Sequence, residues 1–227
     1  MADIQRFRHR AHAGKLLAHA LHAYERDPRA IVLALPRGGV PVGFAIARDL
    51  DLALDVLMVR KLGLPGQEEF AMGAVGSGGV RVLQAGIVDA CGIAPEALEL
   101  QCQEALRDIA ARERQFRGAR PPPRLRDRLV ILADDGLATG STMRAAIDMV
   151  RQQEPARVIA AVPVGPPESC AALAGEVDEL VCLLRPPHFY AVSHWYRRFD
   201  QTTDDEVQDL LALAWRKQRQ AQAEAHH

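Results

Sequence analysis

Asp134 and Asp135 stand side by side, and Thr139, Gly140, Ser141 and Thr142 close the same stretch, VILADDGLATGST. Ionised carboxylates only accept hydrogen bonds, so an adjacent pair matches a ligand with neighbouring donors, such as the vicinal hydroxyls of a sugar. Hydroxyls and backbone N–H groups gathered where a strand turns into a helix match an anion, because unpaired amides and the helix dipole converge there. The two features together describe a ribose 5-phosphate. Taken alone, a Ser or Thr there reads more readily as a helix cap with solvated acids; the acid pair together with TGST reverses the reading toward a ligand. A Walker A loop needs a lysine where Gly140 stands, and no GxGxxG occurs.

Elements must place these residues. Apolar spacings of three and four from Ile4 through Leu21 predict an amphipathic helix over about residues 4–25, within an N-terminal helical segment 1–27. Continuous Val/Ile/Leu runs predict buried strands at 30–35, 53–59, 128–133, 156–162 and 179–184, with helices at 40–50, 141–153 and 166–175. Such alternation predicts an α/β fold, a doubly wound, mostly parallel sheet covered on both faces. Ligands of such sheets sit beyond the carboxyl ends of the strands, which puts weight on 36–40, 60–63, 134–142 and 185 onward. Residues 60–84, rich in glycine, read as a mobile loop or hairpin, with Glu68 and Glu69 facing solvent. Residues 94–117 read as an inserted charged helix, which PPP at 121–123 separates from the next strand.

The 227 residues suit one domain, and a net charge of -1 offers no general attraction to nucleic acid or a membrane. No apolar run is long enough to span a bilayer, the N-terminus lacks a signal-peptide core, and the four scattered cysteines read as reduced. The expected setting is cytoplasmic. His9, His12, His19 and His22 share one arc of the first helix and read as a solvated or subunit-facing stripe rather than a zinc site. The arginines from Arg112 to Arg128 read as a solvated helix end and linker rather than a surface for nucleic acid.

VILADDGLATGST resembles the phosphoribosyl pyrophosphate signature of type I phosphoribosyltransferases, and LPRGGVPVG resembles their pyrophosphate loop. VRKLGLPGQEEFAMGAV and FYAVSHWYRRFDQTTDDEV are similar to a bacterial subgroup labelled predicted phosphoribosyltransferase, so that the resemblance runs from about 5 to 215 within a single domain, 1–227. It implies Mg2+-dependent transfer of a phosphoribosyl group to a nitrogenous, nucleobase-like acceptor, with pyrophosphate released. On the resemblance, Asp134 and Asp135 hold the ribose hydroxyls directly or through Mg2+ and its waters, and Gly136 and Ala138 to Thr142 wrap the 5-phosphate. Arg37, Gly38 and Gly39 would meet the pyrophosphate, although Gly-Gly also suits a plain tight turn. Arg60 and Lys61 would bring charge to it as the 60–84 segment closes, or form a solvated basic pair. Phe189, Tyr190 and Trp195, in a C-terminal hood and helix at 185–217, would stack on the acceptor or pack as core. Ala138 stands where 6-oxopurine enzymes carry an aspartate, which leaves the acceptor open. The family habit implies a homodimer. A regulatory or sensing protein that binds phosphoribosyl pyrophosphate or a nucleotide without catalysis is the alternative.

Overall fold

The computed structural model describes residues 6–64 and 67–224. In chain order the elements are α1 (Arg10–Ala20), β1 (Ala30–Ala34), α2 (Gly39–Leu50), β2 (Ala53–Val56), β3 (Val59–Leu64), β4 (Gln67–Gly76), β5 (Arg81–Leu83), α3 (Ala85–Ala90) and α4 (Pro95–Arg117). Then come β6 (Leu129–Ala133), α5 (Ser141–Arg151), β7 (Arg157–Val164), α6 (Pro167–Ala174), β8 (Glu179–Leu184) and α7 (Asp204–Glu224).

Five strands form one parallel sheet in the order β2-β1-β6-β7-β8. Strand side chains alternate between its faces. Val32, Ala34, Ile131 and Ala133 pack with Leu17 of α1, Ile46 of α2 and Leu211 of α7. Ile31, Leu33, Val130 and Leu132 pack with Met143 and Ile147 of α5 and Leu173 of α6. Helices on both faces explain why β1 and β6 are buried at every position and carry no polar residue. The order reverses at β1, whose neighbours are β2 and β6, so the loops leaving β1 and β6 diverge and open a crevice at the sheet's carboxyl edge.

The N-terminal helix is corrected. The first helix begins at Arg10 instead of residue 4, and after Ala20 only a 3-10 turn follows, so the segment 1–27 is not one helix. Phe7 instead runs beside the C-terminal tail: its N–H donates to the Trp195 carbonyl at 2.8 Å, its carbonyl accepts from Arg197 N–H, and its ring meets that of Tyr196 at 5.4 Å. His9 then starts the helix, its Nδ1 accepting the His12 N–H at 3.2 Å. Ile4 lies outside the described residues.

The segment 60–84, expected as a loop or hairpin, holds the hairpin of β3 and β4, which β5 extends into a separate antiparallel sheet in the order β3-β4-β5. Leu62, Leu64, Met72 and Ala74 are buried beneath it. The side chains of Glu68 and Glu69 lie outside the described residues.

The long insertion α4 is fastened to the main sheet at its last residue. Arg117, read from sequence as part of a solvated run, is buried: its Nε donates to Asp55 Oδ1 at 2.7 Å, and its other nitrogens donate to Glu113 and to the Val56 carbonyl. A guanidinium is this far from water only because every nitrogen direction finds an acceptor. At the same strand Trp215 Nε1 donates to the Leu54 carbonyl at 2.9 Å, which ties α7 to β2. Among the described residues no helix is long and apolar enough to cross a membrane.

Candidate active site

The crevice at the β1/β6 switch is where the acidic pair lies. β6 ends at Ala133, and Asp134 and Asp135 follow it directly, partly shielded from solvent. Asp134 Oδ1 accepts the backbone N–H of Asp135 at 2.8 Å. Burial, and then the neighbouring charge of Asp135, push the Asp134 carboxyl well above the usual carboxylate range. Burial also raises Asp135, against the opposing pull of Arg10. Two acids are thus crowded where their charges are costly unless a cation or a set of donors meets them.

From the acids the chain turns through Gly136, which lies against Val192 of the C-terminal tail, to Leu137, whose N–H donates to the Val164 carbonyl at 2.7 Å. The turn closes at Gly140, the residue before α5, with φ of 79° in the left-handed region that glycine adopts at no steric cost. No side chain of that residue caps the helix. The first-turn amides of α5 are therefore open toward an anion, with only Ser141 N–H leaning on Thr139 Oγ1 at 3.4 Å. Thr139 Oγ1 in turn donates to Ser141 Oγ at 3.1 Å. Asp134, Gly136 and the run Leu137 to Met143 line a hollow of about 130 Å3. The plain reading of this turn as a Ser/Thr cap does not describe it, since the capping position is a glycine.

The glycines after β1 have a packing reason. A Cβ on Gly39 would stand 2.6 Å from the Ala133 carbonyl and 3.0 Å from Asp134 Cα, and one on Gly38 would collide with the Asp135 carboxylate. The loop after β1 is thereby pressed against the acids, and both expected ligand loops border one space. Arg37 points toward the start of α7, 3.6 Å from Asp204 Oδ1.

The basic pair divides. Lys61 Nζ donates to Ser141 Oγ at 3.3 Å, which carries a positive charge from β3 to the mouth of the anion turn. Arg60 is engaged by Asp108 of α4. Beside them, Lys61, Gln101, Glu104 and Thr142 border a hollow of about 690 Å3, and Pro36, Arg60, Arg112 and Thr142 border another of about 310 Å3.

The aromatic tail divides as well. Phe189 and Trp195 pack partly buried with Phe7, Val164 and Tyr196. Tyr190 is 84% exposed, its ring 6.2 Å from His194. Among the described residues no group of histidine, cysteine or acid side chains is arranged to hold a metal by itself.

One residue at the site was not anticipated. Arg10, first in α1, donates from Nε to Asp135 Oδ2 at 2.8 Å and from Nη1 to the Asp200 carbonyl at 2.5 Å. Its guanidinium lies 3.8 Å from the centre of the Phe199 ring. Tyr196 Oη donates to the Asp135 carbonyl at 2.6 Å, so both ends of the chain converge on this acid. The RFRHR stretch announces a basic segment and gives no sign of which arginine turns inward.

Two curated proteins are similar to this chain in sequence, and one solved structure is similar in fold. Two Mycobacterium tuberculosis proteins, from strains CDC 1551 / Oshkosh and ATCC 25618 / H37Rv, carry a provisional phosphoribosyl transferase name. Each is 43% identical over 210 residues, covering 92% of this chain and 47% of the relative. The chain thus spans about half the length of the curated relatives it matches. The crystal structure of TT1426 from Thermus thermophilus is similar in fold, with a TM-score of 0.81 at 43% identity over 91% of this chain and 97% of that one. The model of the phosphoribosyl transferase domain matches residues 5–189, and the chain belongs to that family.

Proposed function

We propose that the protein is a cytoplasmic, homodimeric, Mg2+-dependent phosphoribosyltransferase that moves a 5-phosphoribosyl group from phosphoribosyl pyrophosphate to a nucleobase-like nitrogen. The carrying observation is the continuity of Asp134 and Asp135 with the uncapped turn at Gly140, all at the switch point of a parallel sheet. The unpaired cysteines among the described residues agree with a reducing compartment.

Displacement of pyrophosphate from the anomeric carbon builds positive charge on the sugar and negative charge on the leaving group, so the protein's task is to position and neutralise. Thr139 to Thr142 offer amides and hydroxyls to the 5-phosphate, and Lys61 adds its charge there. Asp134 and Asp135 accept from the ribose hydroxyls and fix the ring. Arg37 and the Gly38–Gly39 backbone border the space into which pyrophosphate departs. Arg60 adds charge on the same side if it exchanges Asp108 for the leaving group. Phe189, Tyr190 and Trp195 belong to the reading as the acceptor side.

The crowded carboxylates suit a divalent cation, since Mg2+ sites use one or two carboxylates together with substrate oxygens. Asp134 and Asp135 would hold it, and when bound it supplies charge neutralisation for the departing pyrophosphate.

The test is pyrophosphate release from phosphoribosyl pyrophosphate with Mg2+ across purines, pyrimidines and other nitrogenous acceptors. Release that depends on the acceptor, and that Asp134→Asn lowers at least tenfold, is the expected result. Binding without release for every acceptor would instead make the protein a sensor of the same ligand.

A further inference from the structure

Arg10 and Asp135 form the one ion pair among the described residues that involves either acid of the site. Both side chains are largely shielded, 12% and 17% exposed. The pair is built in. The guanidinium lies 3.8 Å from the centre of the Phe199 ring, the Asp200 carbonyl takes a second N–H, and Tyr196 Oη donates to the backbone carbonyl of Asp135. Gly38 completes the enclosure: a Cβ there would lie 3.2 Å from Arg10 Nε. The Asp134 carboxylate has no cation within ion-pair distance among the described residues, and there it accepts only the Asp135 amide.

We infer that Arg10 is a positioning residue that makes the acid pair unequal: it neutralises and holds Asp135, and leaves Asp134 as the carboxylate that takes the charge-bearing role toward the ligand. This rests on the proposed phosphoribosyl transfer for the identity of the ligand. It follows from elementary electrostatics. Two free carboxylates next to each other would repel the phosphates of the incoming substrate and each other. A guanidinium locked on one of them halves that charge and stops the second acid from swinging across the ribose site. It also explains why the N-terminal segment leaves the helical path before Arg10. Phe7 must sit beside Tyr196 so that Arg10 begins α1 directly over Asp135.

The experiment combines Arg10→Gln, Arg10→Lys, Asp134→Asn, Asp135→Asn and the double variant Arg10→Gln/Asp135→Asn, all in the full chain. Equilibrium binding of phosphoribosyl pyrophosphate is measured with Mg2+ present. Arg10→Gln is expected to weaken binding at least tenfold, and the double variant to bind at least threefold more tightly than Arg10→Gln alone, because an amide needs no counter-charge. Arg10→Lys keeps the charge but loses the guanidinium contact with Phe199 and the second bond, and should fall between wild type and Arg10→Gln. Asp134→Asn should cost at least ten times more than Asp135→Asn. Equal losses for the two acids, or a double variant no better than Arg10→Gln alone, would overturn the inference.

Thermal unfolding reads the pair without any ligand. The Tm losses of Arg10→Gln and Asp135→Asn should not add in the double variant. Additive losses would contradict the ion pair. A wild type that binds no phosphoribosyl pyrophosphate but shows the non-additive Tm pattern would remove the proposed function and leave the hold of Arg10 on Asp135 standing.

Discussion

Lys61 Nζ donates to Ser141 Oγ at 3.3 Å, across a gap of 80 positions in the chain. The contact joins the separate antiparallel sheet to the uncapped start of α5, so β3 brings a cation to the turn proposed to hold the 5-phosphate. Lys61→Met should raise the KM for phosphoribosyl pyrophosphate about tenfold, near 1.4 kcal/mol, with little change in Tm. Arg60→Met, whose side chain is engaged with Asp108 at the surface, should change it less than threefold. Steady-state kinetics on both variants decides this, and the opposite ranking would place the working cation at Arg60.

Gly39 is required by packing as well as by any ligand. A methyl group there would meet the Ala133 carbonyl and Asp134 Cα, both backbone and unable to yield cheaply. Gly39→Ala is expected to lower stability by about 1–3 kcal/mol and to depress activity further, since the loop can relax only by leaving the acids. Gly86→Ala, with open space at its Cβ inside α3, is the control and should be neutral or mildly stabilising, by up to about 1 kcal/mol. Calorimetry that finds the two variants alike would refute the close approach.

Asp178 gives a pH signature away from the site. Its Oδ2 accepts the Val158 N–H at 2.7 Å and pairs with Arg151 at 3.0 Å, and these hold its carboxyl below the usual range, the Val158 bond foremost. A carboxyl depressed in the folded state stabilises above its unfolded value of about 3.9, and that contribution disappears as pH falls through the lower folded value. Asp178→Asn should therefore be less stable than wild type at neutral pH, with the gap closing below about pH 4. Urea unfolding across that range measures it. A gap that stays constant would show that the ionised form has no part in it.

What could be read from sequence was whatever local pattern determines. The buried strands announced themselves because a doubly covered parallel sheet needs unbroken apolar runs, as at Ala30–Ala34 and Leu129–Ala133. The acids and the hydroxyl turn were legible because their chemistry is written in adjacent residues. What escaped depends on distant partners. The helix start at Arg10 is set by Phe7 lying against Tyr196, and Arg117 differs from its neighbouring arginines only because Asp55 waits at the end of β2. The alternation of Leu62, Leu64, Met72 and Ala74 was the available sign of a packed sheet, and the surrounding glycines masked it.

Phosphoribosyl transfer here requires a sugar phosphate held between the acids after β6 and the amides that open α5. A crystal structure of the protein with phosphoribosyl pyrophosphate and Mg2+ tests this directly. The 5-phosphate is predicted within hydrogen-bond distance of the Thr139 to Thr142 amides and hydroxyls, with the ribose hydroxyls on the Asp134 side of the pair. Density for the phosphate away from that turn, with the two aspartates untouched by the sugar, would contradict it.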